Sequence, residues 1–123
     1  MEKKLILIVD DDEHILNMLE EGLELQNKYE IEVSQSSKEF LNLVYHIKYD
    51  LLLIDHEMPL KRGAELAIDL RKKDGPNQKV PIIFISGHLK DLKILAKDLD
   101  NVYFLQKPLD LRELAKLIDQ FTV

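Results

Sequence analysis

The chain has 123 residues, a formal net charge of −6 from 17 basic and 23 acidic side chains, and an apolar fraction of 46%. That is the size and composition of one globular domain with a real core, and we expect a single domain over residues 1–123, with no second domain. No cysteine is present, which excludes disulfides, thiol catalysis and cysteine–zinc sites. Lys61-Arg62 and Arg71-Lys72-Lys73 are too short for a basic stripe, so direct nucleic-acid binding is not expected. The first apolar run is too short for a signal peptide or membrane span, and we expect a soluble cytoplasmic chain.

In chain order, Leu5–Val9 reads as a strand, and Ile15, Met18, Leu19 and Leu23 then recur at helical spacing. Ile31-Glu-Val33 is a short alternating strand. Ser36 and Glu39 form a capping box for a helix whose apolar face is Phe40, Leu43, Val44 and Ile47. Leu51–Ile54 is the third strand, and the next helix lays Leu66, Ala67 and Leu70 inward. Asp74-Gly-Pro-Asn77 breaks the chain before the fourth strand, Ile82–Ile85. Leu89, Leu92, Ala96 and Leu99 predict a fourth helix, and Val102–Gln106 the fifth strand. Asp110 and Glu113 open a last helix that buries Leu111, Leu114, Ala115, Ile118 and Phe121.

Five alternations of strand and helix with short connections imply a parallel α/β sheet. The first, third and fourth strands are continuously apolar, as strands covered on both faces should be. The second alternates and the fifth carries Tyr103 and Gln106, so both belong at edges. The order 2-1-3-4-5 satisfies this, giving a flavodoxin-like doubly wound five-stranded sheet flanked by five helices.

In such a sheet, ligands gather outside the carboxyl ends of the strands. Asp10, Asp11 and Asp12 follow the first strand, Asp55 the third, Ser86 the fourth, and Lys107-Pro108 the fifth. Asp12 is explained as a helix cap. Asp10 and Asp11 beside Asp55 crowd negative charge, which a cation taking oxygen ligands, such as Mg2+, would hold. Removing Asp11 should then stabilise the metal-free chain. Asp55 delivers a carboxylate able to act as a nucleophile and form an aspartyl phosphate. A hydroxyl from Ser86 and the Lys107 ammonium are both suited to phosphoryl oxygens, and Lys107-Pro108 is a position where a cis bond forms tight turns.

Together, Val9-Asp-Asp-Asp12, Leu53-Ile-Asp-His-Glu-Met-Pro59 with Gly63, Ile85-Ser-Gly87 and Gln106-Lys-Pro108 resemble the receiver domain of two-component response regulators, of the single-domain chemotaxis-regulator kind. The resemblance covers nearly the whole chain. It implies that Asp55 accepts a phosphoryl group from a sensor histidine kinase or a histidine phosphotransfer protein. It also implies Mg2+ held by Asp10, Asp11, Asp55 and the backbone carbonyl of Glu57, with Asp10 acting mainly through water. Ser86 would be the switch hydroxyl, Lys107 the phosphate-pairing lysine and Phe104 the switch aromatic. Phosphorylation would turn Ser86 inward, draw Phe104 after it, and change the face of the fourth helix, fifth strand and fifth helix toward an output protein. The only catalysis implied is Mg2+-dependent self-phosphorylation and autodephosphorylation.

Glu57, Gly87 and His88 stand at variable positions of that pattern, and they are expected to tune phosphoryl lifetime, with Glu57 and His88 flanking the approach of water. Asp98-Leu-Asp-Asn101 replaces the Gly-Ala pair often found before the fifth strand. His14 and His46 read as structural or exposed, while His56 and His88 adjoin the site. A haloacid-dehalogenase-type phosphohydrolase would want a second Asp where Glu57 stands, and retention of all five site positions argues against a receiver-like module that no longer takes phosphate.

Overall fold

The computed structural model describes residues 2–122, so both end residues of the expected domain lie outside it. Ten elements alternate along the chain: β1 (Lys4–Val9), α1 (Glu13–Glu24), β2 (Tyr29–Ser34), α2 (Ser37–Val44), β3 (Leu51–Asp55), α3 (Gly63–Lys72), β4 (Ile82–Ser86), α4 (Leu89–Leu95), β5 (Val102–Gln106) and α5 (Leu111–Phe121). The strands form one sheet in the order β2-β1-β3-β4-β5, with every pair parallel. This is the flavodoxin-like α/β arrangement that the apolar runs implied. Ile6 is the register partner of Ile31 on one side and of Leu51 on the other, so β1 lies at the centre of the first crossover.

The strand period of two divides the core. Leu7, Val9, Leu52, Ile54, Ile82 and Phe84 face α2, α3 and α4, where Phe40, Val44, Leu66, Leu70 and Leu92 meet them. Ile6, Ile8, Leu51, Leu53, Ile83 and Ile85 face α1 and α5, against Leu16, Leu19, Leu23, Leu114 and Ile118. Fully burying one such aliphatic side chain contributes about 1.5–3 kcal/mol. Gly22 permits the closest approach of α1 and α5: a Cβ there would lie 2.7 Å from Leu111 Cδ1.

Asp12, Ser36 and Asp110 cap α1, α2 and α5, accepting bonds from His14 N, Glu39 N, and Arg112 N with Glu113 N. Several boundaries differ from the sequence expectation. In α1 it is Leu16, with Leu19 and Leu23, that faces the sheet, while Met18 is 43% exposed. The apolar stripe is therefore one step away from the Met18 register. Helix α2 ends at Val44, and Ile47 packs from the turn after it. Helix α4 has only seven residues. Leu99 reaches the core from the following loop, which ends at Asn101 with a φ of 58°, a left-handed conformation that Asn tolerates.

Candidate functional site

Each site residue is placed by a strand ending. The backbone N–H of Asp10 donates to Ser34 O (3.1 Å) at the end of β2, continuing the ladder one residue past β1. His56 N donates to Ile85 O (2.9 Å) and Lys107 N to Ser86 O (2.9 Å), which fixes the exits of β3 and β5 against β4. The Gln106 amide donates to Gly87 O (3.1 Å), a brace across the same edge that the motif pattern alone did not reveal. The Lys107–Pro108 bond is cis.

Gly63 holds α3 against this edge. A Cβ there would lie 2.8 Å from Ile54 Cγ2, 2.9 Å from Asp55 O and 2.9 Å from His56 Cα, two of them backbone atoms that cannot swing aside. His56 secures the same junction. Its Nδ1 accepts from Ala64 N (3.2 Å) and its carbonyl from Gly63 N (3.1 Å). Burial, aided by the Arg62 charge and opposed by Glu57 and Asp55, holds its pKa below the ordinary value. His56 is thus a neutral docking residue for α3.

Asp10, Asp11 and Asp55 bring one carboxylate oxygen each within 4.8 Å of one another, with Asp10 and Asp55 buried and Asp11 exposed. Asp10 Oδ1 accepts from Asp12 N (2.9 Å). Burial pushes the Asp10 carboxyl up to about 7; the Asp12 amide pulls it down, the facing Asp55 charge raises it, and Lys107 again opposes. An all-oxygen donor set of crowded carboxylates is suited to a hard divalent cation.

Lys107 Nζ lies 2.9 Å from Asp55 Oδ1 and 4.0 Å from Glu57 Oε1. Burial works against its charge, but the bond to Asp55 and the charges of Asp55, Glu57 and Asp10 carry its pKa above the usual lysine value. The Glu57 amide donates to Asp55 Oδ1 (3.2 Å). Its side chain turns across the crevice, where Oε2 accepts from Ser86 Oγ (2.6 Å) and Oε1 from Gly87 N (2.6 Å). Burial would raise the Glu57 pKa, but these two bonds, with Lys107 and His56, bring it below the ordinary value.

Ser86 is fully buried, and its hydroxyl also accepts from His88 N (2.8 Å). The Ser86 hydroxyl is thus held between Glu57 and the His88 amide. Phe104, the register partner of Phe84, is half-buried and stacked on it with centroids 5.9 Å apart. His88 is exposed and reaches the cluster through its amide. Among the described residues, Glu57 is tied to Ser86 and Gly87, and His88 joins the same cluster through its amide on Ser86 Oγ.

Comparisons with known proteins agree with this geometry. Residues 6–119 match the family described as the response regulator receiver domain. A probable transcriptional regulator, ycf29, of Pyropia yezoensis is 32% identical over 116 residues, covering 93% of this chain and 51% of that protein. The chain spans about half the length of the curated relatives it matches. Among solved structures, a Francisella response regulator receiver domain has a TM-score of 0.82 at 28% identity, over 98% of this chain and 97% of that one. The receiver domain of a Pseudomonas aeruginosa sensor histidine kinase has a TM-score of 0.85 at 20% identity, over 98% of both chains. In that structure a magnesium ion is coordinated in the active-site cleft. A family match across almost every described residue, on the fold and strand-end carboxylates found above, places this chain in the response regulator receiver family.

Proposed function

We infer that the chain is a phosphorylation-dependent signalling switch in which Asp55 accepts a phosphoryl group. One observation carries the reading: Asp55, 2% exposed, sits at the meeting point of four strand ends with Lys107 at 2.9 Å and the Asp10 and Asp11 carboxylates close by. A phosphohistidine of a sensor kinase or phosphotransfer protein is the natural donor class. An Asp55 oxygen forms the new bond to phosphorus as the donor's P–N bond breaks and its imidazole leaves, taking up a proton.

Asp10, Asp11, Asp55 and the Glu57 backbone carbonyl would hold Mg2+. When bound, the ion supplies charge that offsets repulsion between the carboxylates and the incoming phosphoryl oxygens. Lys107 supplies a second cation at the acceptor, and its own ion pair with Asp55 must open to follow the new anion. Ser86 and the Gly87 amide offer further donors. The receiver family consists of signalling modules that are generally not enzymes, and turnover here is limited to self-phosphorylation and autodephosphorylation. Output passes through Phe104 and the α4-β5-α5 face. No helix among the described residues is long and apolar enough to cross a membrane.

The test is intact-mass analysis after incubation with a small-molecule phosphodonor and Mg2+. The expected result is one added phosphoryl group, absent in Asp55→Asn and without Mg2+. Equal labelling of Asp55→Asn would reject Asp55 as the acceptor.

A further inference from the structure

A phosphoryl group on Asp55 would present free oxygens to the donors on the side of the crevice formed by β4 and β5. The donors available there are the Ser86 hydroxyl, the Gly87 amide and the Lys107 ammonium. In this chain a carboxylate already takes the first two, while Lys107 pairs with Asp55. Glu57 Oε2 accepts from Ser86 Oγ at 2.6 Å, Oε1 accepts from Gly87 N at 2.6 Å, and Lys107 Nζ stands 4.0 Å from Oε1. The backbone beside Asp55 favours this reach, because the Glu57 amide is held on Asp55 Oδ1. Both carboxylate oxygens thus have a separate short donor, and bonds of this charge-assisted kind are about twice as strong as neutral ones.

We propose that the Glu57 carboxylate is an internal ligand of the phosphoryl-binding donors, holding Ser86 and Gly87 as the phosphoryl group would and leaving before that group can take them. The proposal rests on Asp55 being the phosphoacceptor. Two anions cannot share one hydroxyl proton and one amide proton, so occupancy is exclusive. Like charge within the crevice reinforces that exclusion.

Two consequences follow with opposite signs. The β4–α4 junction is ordered before phosphorylation: the Ser86 hydroxyl is inward, and the His88 amide is bonded to it at 2.8 Å. The same docking lowers affinity for any phosphoryl-like anion, because only the fraction of molecules with Glu57 undocked is competent to bind. If that fraction is about one tenth, removing the carboxylate tightens binding roughly tenfold.

The experiment is an amide NMR titration of the whole chain with beryllium fluoride and Mg2+, using wild type, Glu57→Ala and Glu57→Gln. Glu57→Gln keeps the length and one acceptor oxygen but loses the charge. In the ligand-free spectra, the Gly87 and His88 amides should shift in Glu57→Ala. The half-saturating beryllium fluoride concentration should fall roughly tenfold, with Glu57→Gln between the two. Unchanged or weaker binding in Glu57→Ala, with the Gly87 amide unmoved, would overturn the internal-ligand assignment and leave the phosphoacceptor reading standing. Absence of saturable binding at Asp55 in all three proteins would remove that reading, and this inference with it.

Discussion

At the end of the sheet away from Asp55, Asn77 is fully buried between α2 and β3. Its Oδ1 accepts from Tyr49 N (2.8 Å), and its Nδ2 donates to Val44 O and Ile47 O, both at 2.6 Å. Arg71 does the same work nearby, donating to Gln78 O, Val80 O and Asp100 O. At the carboxyl end, by contrast, three carboxylates lie within 4.8 Å and one lysine faces them. One end matches the polar groups of Asn77 and Arg71 to backbone partners, so its polarity stabilises the fold. The other crowds like charges around one lysine, so its polarity costs stability.

The comparison breaks most visibly at Asn77. Asn77→Ala strands one amide and two carbonyls in the interior, and each unsatisfied group costs about 1–3 kcal/mol. We expect a loss of about 3–5 kcal/mol in urea unfolding, with the m-value unchanged. A loss below about 1 kcal/mol would mean that water satisfies these groups and that the two ends are more alike than their bonds imply.

Gly63 belongs to both regions, since it docks a helix and also sits against the Asp55 backbone. Gly63→Ala should cost about 2 kcal/mol by overpacking and also slow phosphorylation, because two of the atoms struck are Asp55 O and His56 Cα. Denaturant unfolding and the labelling rate at Asp55 should therefore change together. A stability loss with an unaltered labelling rate would show that the strain is relieved through α3 alone.

Asp10→Asn tests the opposite sign. The amide oxygen keeps the bond from Asp12 N, while a buried charge facing Asp55 is removed. Without Mg2+ the variant should be more stable by about 1–2 kcal/mol, and its melting temperature should respond less to added Mg2+. A destabilised variant would show that the carboxylates at this end are not in conflict.

The sequence displayed the sheet well because burial on both faces leaves an unambiguous mark: continuous apolar runs at β1, β3 and β4, and broken ones at the edges. The strand-end carboxylates, Ser86 and Lys107 were legible for the same reason, since strand ends fix where side chains converge. Three things were not. Periodicity placed Met18 in the core of α1 instead of Leu16, because neighbouring apolar residues on a short helix satisfy more than one register. Repulsion was expected to fall on Asp11, yet Asp11 is exposed and Asp10 is the desolvated acid. Nor does any pattern show that Glu57 bends onto Ser86 and Gly87, because a flexible side chain's target depends on donors from another strand.

Between the two ends lies an intermediate case, which sets the smallest effect. Asp119 on α5 accepts from Lys28 Nζ at 2.7 Å and from the Tyr29 hydroxyl at the start of β2. Lys28 and Tyr29 together hold its carboxyl below the usual carboxylate range, with burial opposing them slightly. A depressed folded-state pKa means the unfolded chain binds the proton first. The bond therefore contributes its full stability above the unfolded value near 4, and that contribution is lost as pH falls through the folded value. The Asp119 side chain is 44% exposed, so solvent and salt screen the pair. Asp119→Asn should cost only about 0.5 kcal/mol at pH 7, less in high salt, and the gap to wild type should close as pH falls below about 4. Paired melts at pH 7 and pH 3 check this. A gap that persists at pH 3 would show that it does not arise from the carboxylate charge, because a protonated carboxyl and an amide oxygen both accept from the Tyr29 hydroxyl; no gap at either pH would assign the junction to that hydroxyl bond and move it into the class of the neutral staples around Asn77.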